Sequence, residues 1–169
     1  MLTNEEKIEK IESHVKEIMT ILGIQETEGN KETPYRVAKM YVNELFDSLQ
    51  KTEPENIKVF DSEGVTSDVV VEVPFSSVCE HHWLPFFGTV KITYRPKDQV
   101  LGLSKFARIV KFVAKKPQLQ ERFTKEVAVL IYKYVRPYHV KVEVEAEHTC
   151  VRCRGVEVPC NTKTEYTIV

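Results

Sequence analysis

The sequence CEHH at residues 79–82 places a thiol, a carboxylate and two imidazoles side by side. Cys79 and His82 have the Cys-x-x-His spacing of paired metal ligands, and a turn between two strands could direct both side chains towards one ion. Residues 146–155 supply further side chains that can bind a metal, namely His148, Cys150 and Cys153. Because Cys and His are preferred ligands of zinc, the two segments together indicate a metal site.

Three interpretations of these residues compete. The cysteines could be small buried hydrophobic side chains with locally satisfied histidines nearby, which is the better interpretation for any one of them alone. A closed structural zinc site would have four ligands, Cys79, His82, Cys150 and Cys153. An open catalytic site would lack Cys153 and would keep the fourth position for water.

Strand periodicity favours the open site. If the strand before Cys150 continues past it, Cys150 and Cys153 point to opposite faces of the sheet. A bulge would turn Cys153 back to the face of Cys150, so the closed site stays an alternative. Zinc in an open site lowers the pKa of a bound water to about 7. His81 and His148 are then available for proton transfer. Because a closed site would need neither histidine, we favour the open, catalytic interpretation.

Side chains that could bind a phosphate occur at three places. Ser104, Lys105 and Arg108 lie at the predicted start of a helix, where backbone N–H groups favour anions. The other two places contribute Arg36, Lys39 and Arg154. Taken alone, the first group is better explained as a helix cap with solvated charges, and the signal of the other cations is individually weak. Glu121, near the start of the next helix, could accept two N–H donors of a guanine edge or simply favour the helix dipole.

The composition disfavours several classes of function. The 169 residues carry 24 Lys and Arg against 25 Asp and Glu, so no overall positive charge attracts nucleic acid or an anionic membrane. The sequence shows no apolar run typical of a signal peptide or a membrane span, which predicts a cytoplasmic protein. In that reducing compartment the four cysteines are not expected to form disulfides. This expectation adds weight to metal binding.

Hydrophobic periodicity predicts an α+β fold. Two amphipathic helices, over Thr3–Leu22 and from Thr33, form an N-terminal helical segment with a connector, residues 1–64. Residues 65–169 form a second unit with strands 68–75 and 87–94, helices 104–114 and about 118–135, a strand 139–147 and a final strand within 156–169. This strand-strand-helix-helix-strand-strand order predicts an antiparallel sheet with helices on one face. We expect a single structural domain overall.

Five motifs, taken in order, resemble the GTP cyclohydrolase I family: ETPYRVAK, SSVCEHHWLPFFG, VLGLSKFARIV, QLQERFT and EAEHTCVRCRGV. The resemblance extends from about Ile8 to Val156. It implies a tunnelling fold, a β-β-α-α-β-β unit that assembles into rings, and therefore a homo-oligomer, typically a decamer with active sites at subunit interfaces. It also implies a zinc-dependent hydrolase that converts GTP and water to 7,8-dihydroneopterin triphosphate and formate, the first step of folate, pterin or deazapurine biosynthesis.

The resemblance assigns roles to particular residues. The implied ligands of Zn²⁺ are Cys79, His82 and Cys150. The implied catalytic histidines are His81 and His148, of which His148 is expected to protonate an imidazole nitrogen of the guanine base. The implied contacts of the guanine edge are Glu121 and Gln120. The implied contacts of the ribose and triphosphate, some of them from a neighbouring subunit, are Ser104, Lys105, Arg108, Arg154, Arg36 and Lys39.

Two residues depart from the family pattern. Cys153 stands where the family commonly has an apolar residue, which keeps a fourth thiolate ligand open, and Trp83 replaces a usual aliphatic residue and is expected to narrow the pocket. Two enzymes of the same fold are rivals: a nitrile reductase, whose motif is absent, and a pterin synthase, whose histidine-only zinc set the thiolates contradict. A zinc-stabilised module that holds a purine nucleotide without turnover is a further rival. His81 and His148 argue against it.

Overall fold

The computed structural model describes residues 2–169. Its helices are α1 (Asn4–Ile21), α2 (Thr33–Met40), α3 (Leu103–Ala114), α4 (Gln120–Val135) and the short α5 (Thr149–Arg152), and a π-helical turn follows α2 over Tyr41–Leu45. Its strands are β1 (Val59–Asp61), β2 (Val69–Cys79), β3 (Pro85–Arg95), β4 (Gln99–Leu101), β5 (Pro117–Gln118), β6 (His139–His148) and β7 (Asn161–Ile168). None of the helices in the described range is long and apolar enough to cross a membrane.

The start of α1 follows its local sequence signal, whereas the start of α3 does not. At α1 the Thr3 hydroxyl accepts a hydrogen bond from the Glu6 N–H at 3.2 Å, and the Glu6 carboxylate accepts one from the Thr3 N–H at 2.7 Å. This reciprocal pair is the predicted capping box. The prediction that Ser104 caps α3 is wrong, because the helix begins at Leu103 and its N-cap residue is Gly102. Ser104 therefore lies inside the first turn.

The main sheet has the strand order β5-β2-β3-β6-β7. The pairs β2–β3, β3–β6 and β6–β7 are antiparallel, which confirms the predicted strand-strand-helix-helix-strand-strand unit and the α+β class. The two-residue strand β5 joins β2 in parallel. The short strands β1 and β4 pair separately, and β1 lies inside the segment that was predicted to be only a connector. Three residues are too few to show a period in the sequence.

Helices α3 and α4 cover one face of this sheet, and the core lies between them. Along β6 the side chains of Val140, Val142 and Val144 are buried, whereas the alternate residues between them are partly exposed. The predicted half-buried strand is therefore confirmed. The helices contribute the buried side chains Phe106, Ile109, Val113, Phe123, Val127 and Ile131. This packing fixes the ends of β2 and β6, which carry the residues with potential chemistry.

Candidate active site

The loop between β2 and β3 turns Cys79 and His82 towards each other. Cys79 is the last residue of β2, and its N–H donates to the Leu84 carbonyl at 2.9 Å. The Trp83 N–H donates back to the Cys79 carbonyl, also at 2.9 Å. Trp83 closes this turn in the left-handed region, with a φ of 54°, a conformation that is strained for a bulky side chain. The predicted placement of the motif between two strands is confirmed.

Cys150 reaches the same loop from the end of β6. The Thr149 hydroxyl, at the start of α5, donates to the Pro85 carbonyl at 2.6 Å and so ties α5 to the start of β3. The premise that the strand continues through Cys150 is wrong, because β6 ends at His148. The helical turn, and not strand alternation, buries Cys150 and leaves Cys153 exposed.

Cys79, His82 and Cys150 form a cluster that could hold a metal ion, since one ligand atom of each lies within 4.8 Å of the other two. Cys153 lies outside the clusters that could bind a metal within residues 2–169. Burial and the neighbouring Cys79 thiol raise the pKa of the Cys150 thiol. Two adjacent buried thiols and an imidazole are a soft donor set, which a cation would stabilise in the thiolate form. The residues therefore fit zinc.

Two further side chains border this metal cluster. The Nδ1 atom of His81 lies 3.6 Å from the Sγ atom of Cys79. Arg154 donates a hydrogen bond from Nη1 to Nε2 of His82 at 2.8 Å. The guanidinium group of Arg154 brings a positive charge to the cluster.

His148 is held in one orientation by Gln120 and Phe86. The Oε1 atom of Gln120 lies 2.8 Å from Nε2 of His148, and the imidazole stacks on Phe86 with ring centroids 4.6 Å apart. The Gln120 amide nitrogen donates to the carbonyls of Val144 at 3.1 Å and Thr162 at 2.9 Å. The amide oxygen must therefore accept from the Nε2–H of His148. Nδ1 of His148 remains available for proton exchange.

Charge and burial act on His148 in opposite directions. Burial lowers the pKa of His148, and the negative charge of Glu121 opposes that decrease. Glu121 is exposed on the first turn of α4, where it borders an open cleft with Arg122 and Lys125. Gln120 is only 2% exposed, and its amide is used inside the protein. The residue type alone did not reveal this internal role.

An ion-pair network behind the β2–β3 loop was missed in the sequence. Arg122 of α4 pairs with Glu80 and also donates to the Gln118 side-chain oxygen and the Pro117 carbonyl, both at 2.9 Å. The Glu80 N–H donates to the Gln118 carbonyl at 3.1 Å. The network fastens the loop to the start of α4. The sequence gives only a weak signal for this network, which is that Glu80 lies between two predicted ligands and has no predicted role as a ligand.

The predicted phosphate contacts on α3 lie far from the metal cluster within one chain. They are Ser104, Lys105 and Arg108. The opposite end of α3 is the one near the cluster, since the Ala114 carbonyl accepts a hydrogen bond from Ser77 of β2 at 2.8 Å. The helix rises about 15 Å over the ten residues that precede Ala114.

The predicted contacts on α2 are exposed and lie outside the metal cluster. Arg36 pairs with the Glu32 carboxylate at 2.7 Å, and the Lys39 ammonium lies 6.0 Å from the centre of the Tyr35 ring. Across the described chain, neither Arg36 nor Lys39 hydrogen-bonds a residue of the cluster. The structure brings Cys79, His82 and Cys150 together with His81 and Arg154 beside them, and it separately pairs Gln120 with His148.

Comparison with known proteins agrees with this geometry. The family model described as GTP cyclohydrolase I matches residues 11–168. The chain belongs to the GTP cyclohydrolase I family. It is 45% identical over 155 residues to GTP cyclohydrolase 1 of Clostridioides difficile, a match that covers 89% of this chain and 81% of the relative. It is 40% identical over 159 residues to GTP cyclohydrolase 1 of Vibrio cholerae, covering 92% and 73%.

One further relative and one solved structure are also similar to this member of the GTP cyclohydrolase I family. GTP cyclohydrolase 1 of Pelotomaculum thermopropionicum is 46% identical over 153 residues, covering 89% of this chain and 81% of the relative. Among solved structures, an archaeosine synthase QueF-Like protein in the apo form is 23% identical, with a TM-score of 0.46 over 59% of this chain and 92% of that chain. The family resemblance inferred from the five motifs is confirmed by the family match.

Proposed function

We propose that the protein is a zinc-dependent GTP cyclohydrolase I that converts GTP and water to 7,8-dihydroneopterin triphosphate and formate. Membership of the family and the names of its relatives support the substrate. The observation that carries the proposal is the convergence of Cys79, His82 and Cys150 within 4.8 Å, with His81 beside Cys79 and with His148 two residues before Cys150 in the sequence. Three protein ligands that leave a fourth coordination position free are typical of a catalytic zinc site.

Cys79, His82 and Cys150 would hold the metal. When bound, zinc supplies Lewis acidity, which makes water a nucleophile near neutral pH. The buried position of both thiols excludes competing solvent ligands from two sides of the site. Arg154 lies beside His82 and would attract an anionic substrate to this position.

His148 would move a proton to the imidazole ring of the guanine base. Because its Nε2–H is held by Gln120 at 2.8 Å, the exchangeable position is Nδ1. The stack on Phe86 covers one face of the ring and restricts its rotation. His81, next to Cys79, is the second candidate for proton transfer. Retention of the triphosphate in the product means that the cations position the substrate and do not cleave it.

Recognition of the substrate would require more than one copy of the chain. Glu121 would read the guanine edge from the start of α4, with Gln120 acting mainly through His148. Ser104, Lys105 and Arg108 lie far from the metal cluster, which supports their contribution from a neighbouring subunit. The same reasoning applies to Arg36 and Lys39 on α2, which also lie outside the cluster. Aliphatic side chains on and after α1 favour a homo-oligomer such as a decamer, since they are 47–76% exposed in the monomer: Ile18, Ile21, Leu22 and Ile24. The cytoplasmic location also stays a prediction.

The test is to incubate purified, metal-analysed protein with GTP and to follow formate and pteridine together. We expect both products, lost on chelation and restored by zinc. Cys79→Ser and Cys150→Ser should lose zinc and turnover, whereas the matched control Cys153→Ser, at an exposed thiol, should keep both. Formate without pteridine would indicate a ring-opening enzyme that stops early.

Two other outcomes would overturn parts of the proposal. Loss of zinc in Cys153→Ser would indicate the closed four-ligand site. Stoichiometric zinc and tight GTP binding without either product would indicate a nucleotide-binding module. Light scattering of the purified protein tests the homo-oligomer, and a monomer with full activity would refute interfacial active sites.

A further inference from the structure

We propose that Trp83 is a positioning residue for the metal site, held by Tyr41 and Phe46 of the N-terminal helical segment. These three side chains are called the aromatic clasp. The proposal rests on the proposed function only in that Cys79, His82 and Cys150 bind the metal. It adds a link between the metal-binding loop and an element that lies outside the β-β-α-α-β-β unit.

The contacts of the aromatic clasp are specific in geometry. The Trp83 ring meets Tyr41 edge-on with centroids 5.7 Å apart and meets Phe46 edge-on at 5.5 Å. Tyr41 and Phe46 stack on each other at 5.4 Å with their planes 4° apart. Edge-to-face and stacked pairs at these distances are favourable beyond the area they bury. The three rings therefore form one unit.

The π-helical turn brings the rings of Tyr41 and Phe46 to the same side. Residues five apart in an α-helix lie about 140° apart around the axis, so their side chains diverge. Here the Phe46 N–H donates to the Tyr41 carbonyl at 3.0 Å, which is the i→i+5 bond of a π-turn. This wider turn lets both rings face the same partner. Such turns occur frequently at functional sites.

The backbone of Trp83 is strained, and this conformation persists only if contacts hold the loop in place. Its φ of 54° places a bulky residue in the left-handed region. It directly follows His82, and its N–H closes the turn onto the Cys79 carbonyl. The ring contacts with Tyr41 and Phe46 hold the side chain of this strained residue and so oppose its relaxation. Release of the ring would let His82 leave the position at which it meets Cys79 and Cys150.

Trp83 is also the only tryptophan of the chain, so its emission reports on this site alone. We would titrate zinc into metal-free wild-type protein and into Tyr41→Leu and Phe46→Leu, measuring Trp83 emission and zinc affinity by competition with a chelator. In the wild type, emission should change and saturate at one zinc per chain. Each variant should bind zinc about three- to tenfold more weakly, since a smaller fraction of the loop is competent to bind.

Controls separate positioning from general stability. Tyr41→Phe keeps the ring and should bind zinc with wild-type affinity. Tyr138→Leu alters a tyrosine that is 62% exposed and lies outside the aromatic clasp, so it should change neither the zinc affinity nor the Trp83 emission. Thermal unfolding without metal identifies a variant that is merely less stable. Leucine variants that bind zinc as tightly as the wild type would overturn the positioning role alone. A wild-type chain that binds no zinc would overturn the metal site, and the positioning role with it.

Discussion

Gln120 offers the sharpest test of how the fold orients a catalytic group. Its side chain is 2% exposed and is surrounded by the acceptors Val144 O and Thr162 O and by His148. Gln120→Leu keeps a similar shape but removes every one of these hydrogen bonds. The substitution therefore leaves the ligands of the metal cluster unchanged and alters only the orientation of His148 and the stability of the sheet beneath it.

The expected magnitude follows from the number of polar groups that lose a partner. Each buried polar group left without a partner costs about 1–3 kcal/mol, and two carbonyls lose a donor when Gln120 is replaced. We expect a loss of roughly 3 kcal/mol in the free energy of unfolding, or about 6–12 °C in Tm for a chain of this size. Turnover should fall about 10- to 100-fold, because a mobile His148 forfeits much of its acid–base contribution.

The assay combines urea unfolding, zinc analysis and formate release. Thr164→Val is the matched control, since the Thr164 hydroxyl lies 3.3 Å from the Gln120 amide nitrogen and 2.6 Å from the Thr124 hydroxyl and, within the described residues, makes no hydrogen bond to His148. It should cost about 1 kcal/mol and change kcat by less than about twofold. Gln120→Leu should lower kcat with little change in KM. A folded, zinc-loaded Gln120→Leu protein with wild-type kcat would refute the orienting role.

Three shorter predictions test other parts of the structure. Gly88→Ala should destabilise the fold by more than about 4 kcal/mol, since an added Cβ would lie 1.9 Å from the Glu145 carbonyl oxygen. A variant with a wild-type melting curve would contradict the register between β3 and β6. Arg122→Leu should weaken zinc binding measured by calorimetry without removing a ligand, because it frees Glu80 and loosens the loop; unchanged affinity would remove the network from the site. Burial and a neighbouring carboxylate raise the pKa of Tyr134 to about 12, above its usual value of 10.0. Its stabilising effect should be complete below pH 10 and lost as the pH rises from 10 to 12, and Tyr134→Phe should flatten that part of an alkaline unfolding curve followed by circular dichroism.

The sequence predicted those elements whose signals are local and repeated. The capping box at Thr3 is closed by contacts three residues apart, and the alternation from His139 to Glu147 repeats with the two-residue period of a strand. Strands β1, β4 and β5 escaped prediction because two or three residues form a strand only when a partner strand is already present. The cap of α3 was misplaced because a serine in the first turn and a serine at the N-cap look alike in sequence.

The metal cluster was predictable from residue type, but its construction was not. The Cys-x-x-His spacing and the downstream cysteine identified Cys79, His82 and Cys150, which the structure brings together. Cys150 was predicted to lie on one face of a continuing strand, but that strand ends at His148 and Cys150 lies in the helical turn that follows. Side-chain direction within a single helical turn depends on tertiary contacts, such as the bond from Thr149 to the start of β3, which no local pattern encodes.

The residues that could do chemistry and the residues that hold them in place belong to different parts of the sequence. The motif supplies Cys79 and His82, but Arg122 of α4 and the aromatic clasp hold their loop from separate directions. Loss of a ligand should therefore abolish metal binding, whereas loss of one support should weaken it in part, because the other support remains. Loss of both supports should cost more than the sum of the two single losses if they restrain the same motion of the loop. Comparison of Arg122→Leu, Phe46→Leu and the double variant by zinc affinity measures that coupling, and strict additivity would show that the two supports act on independent motions.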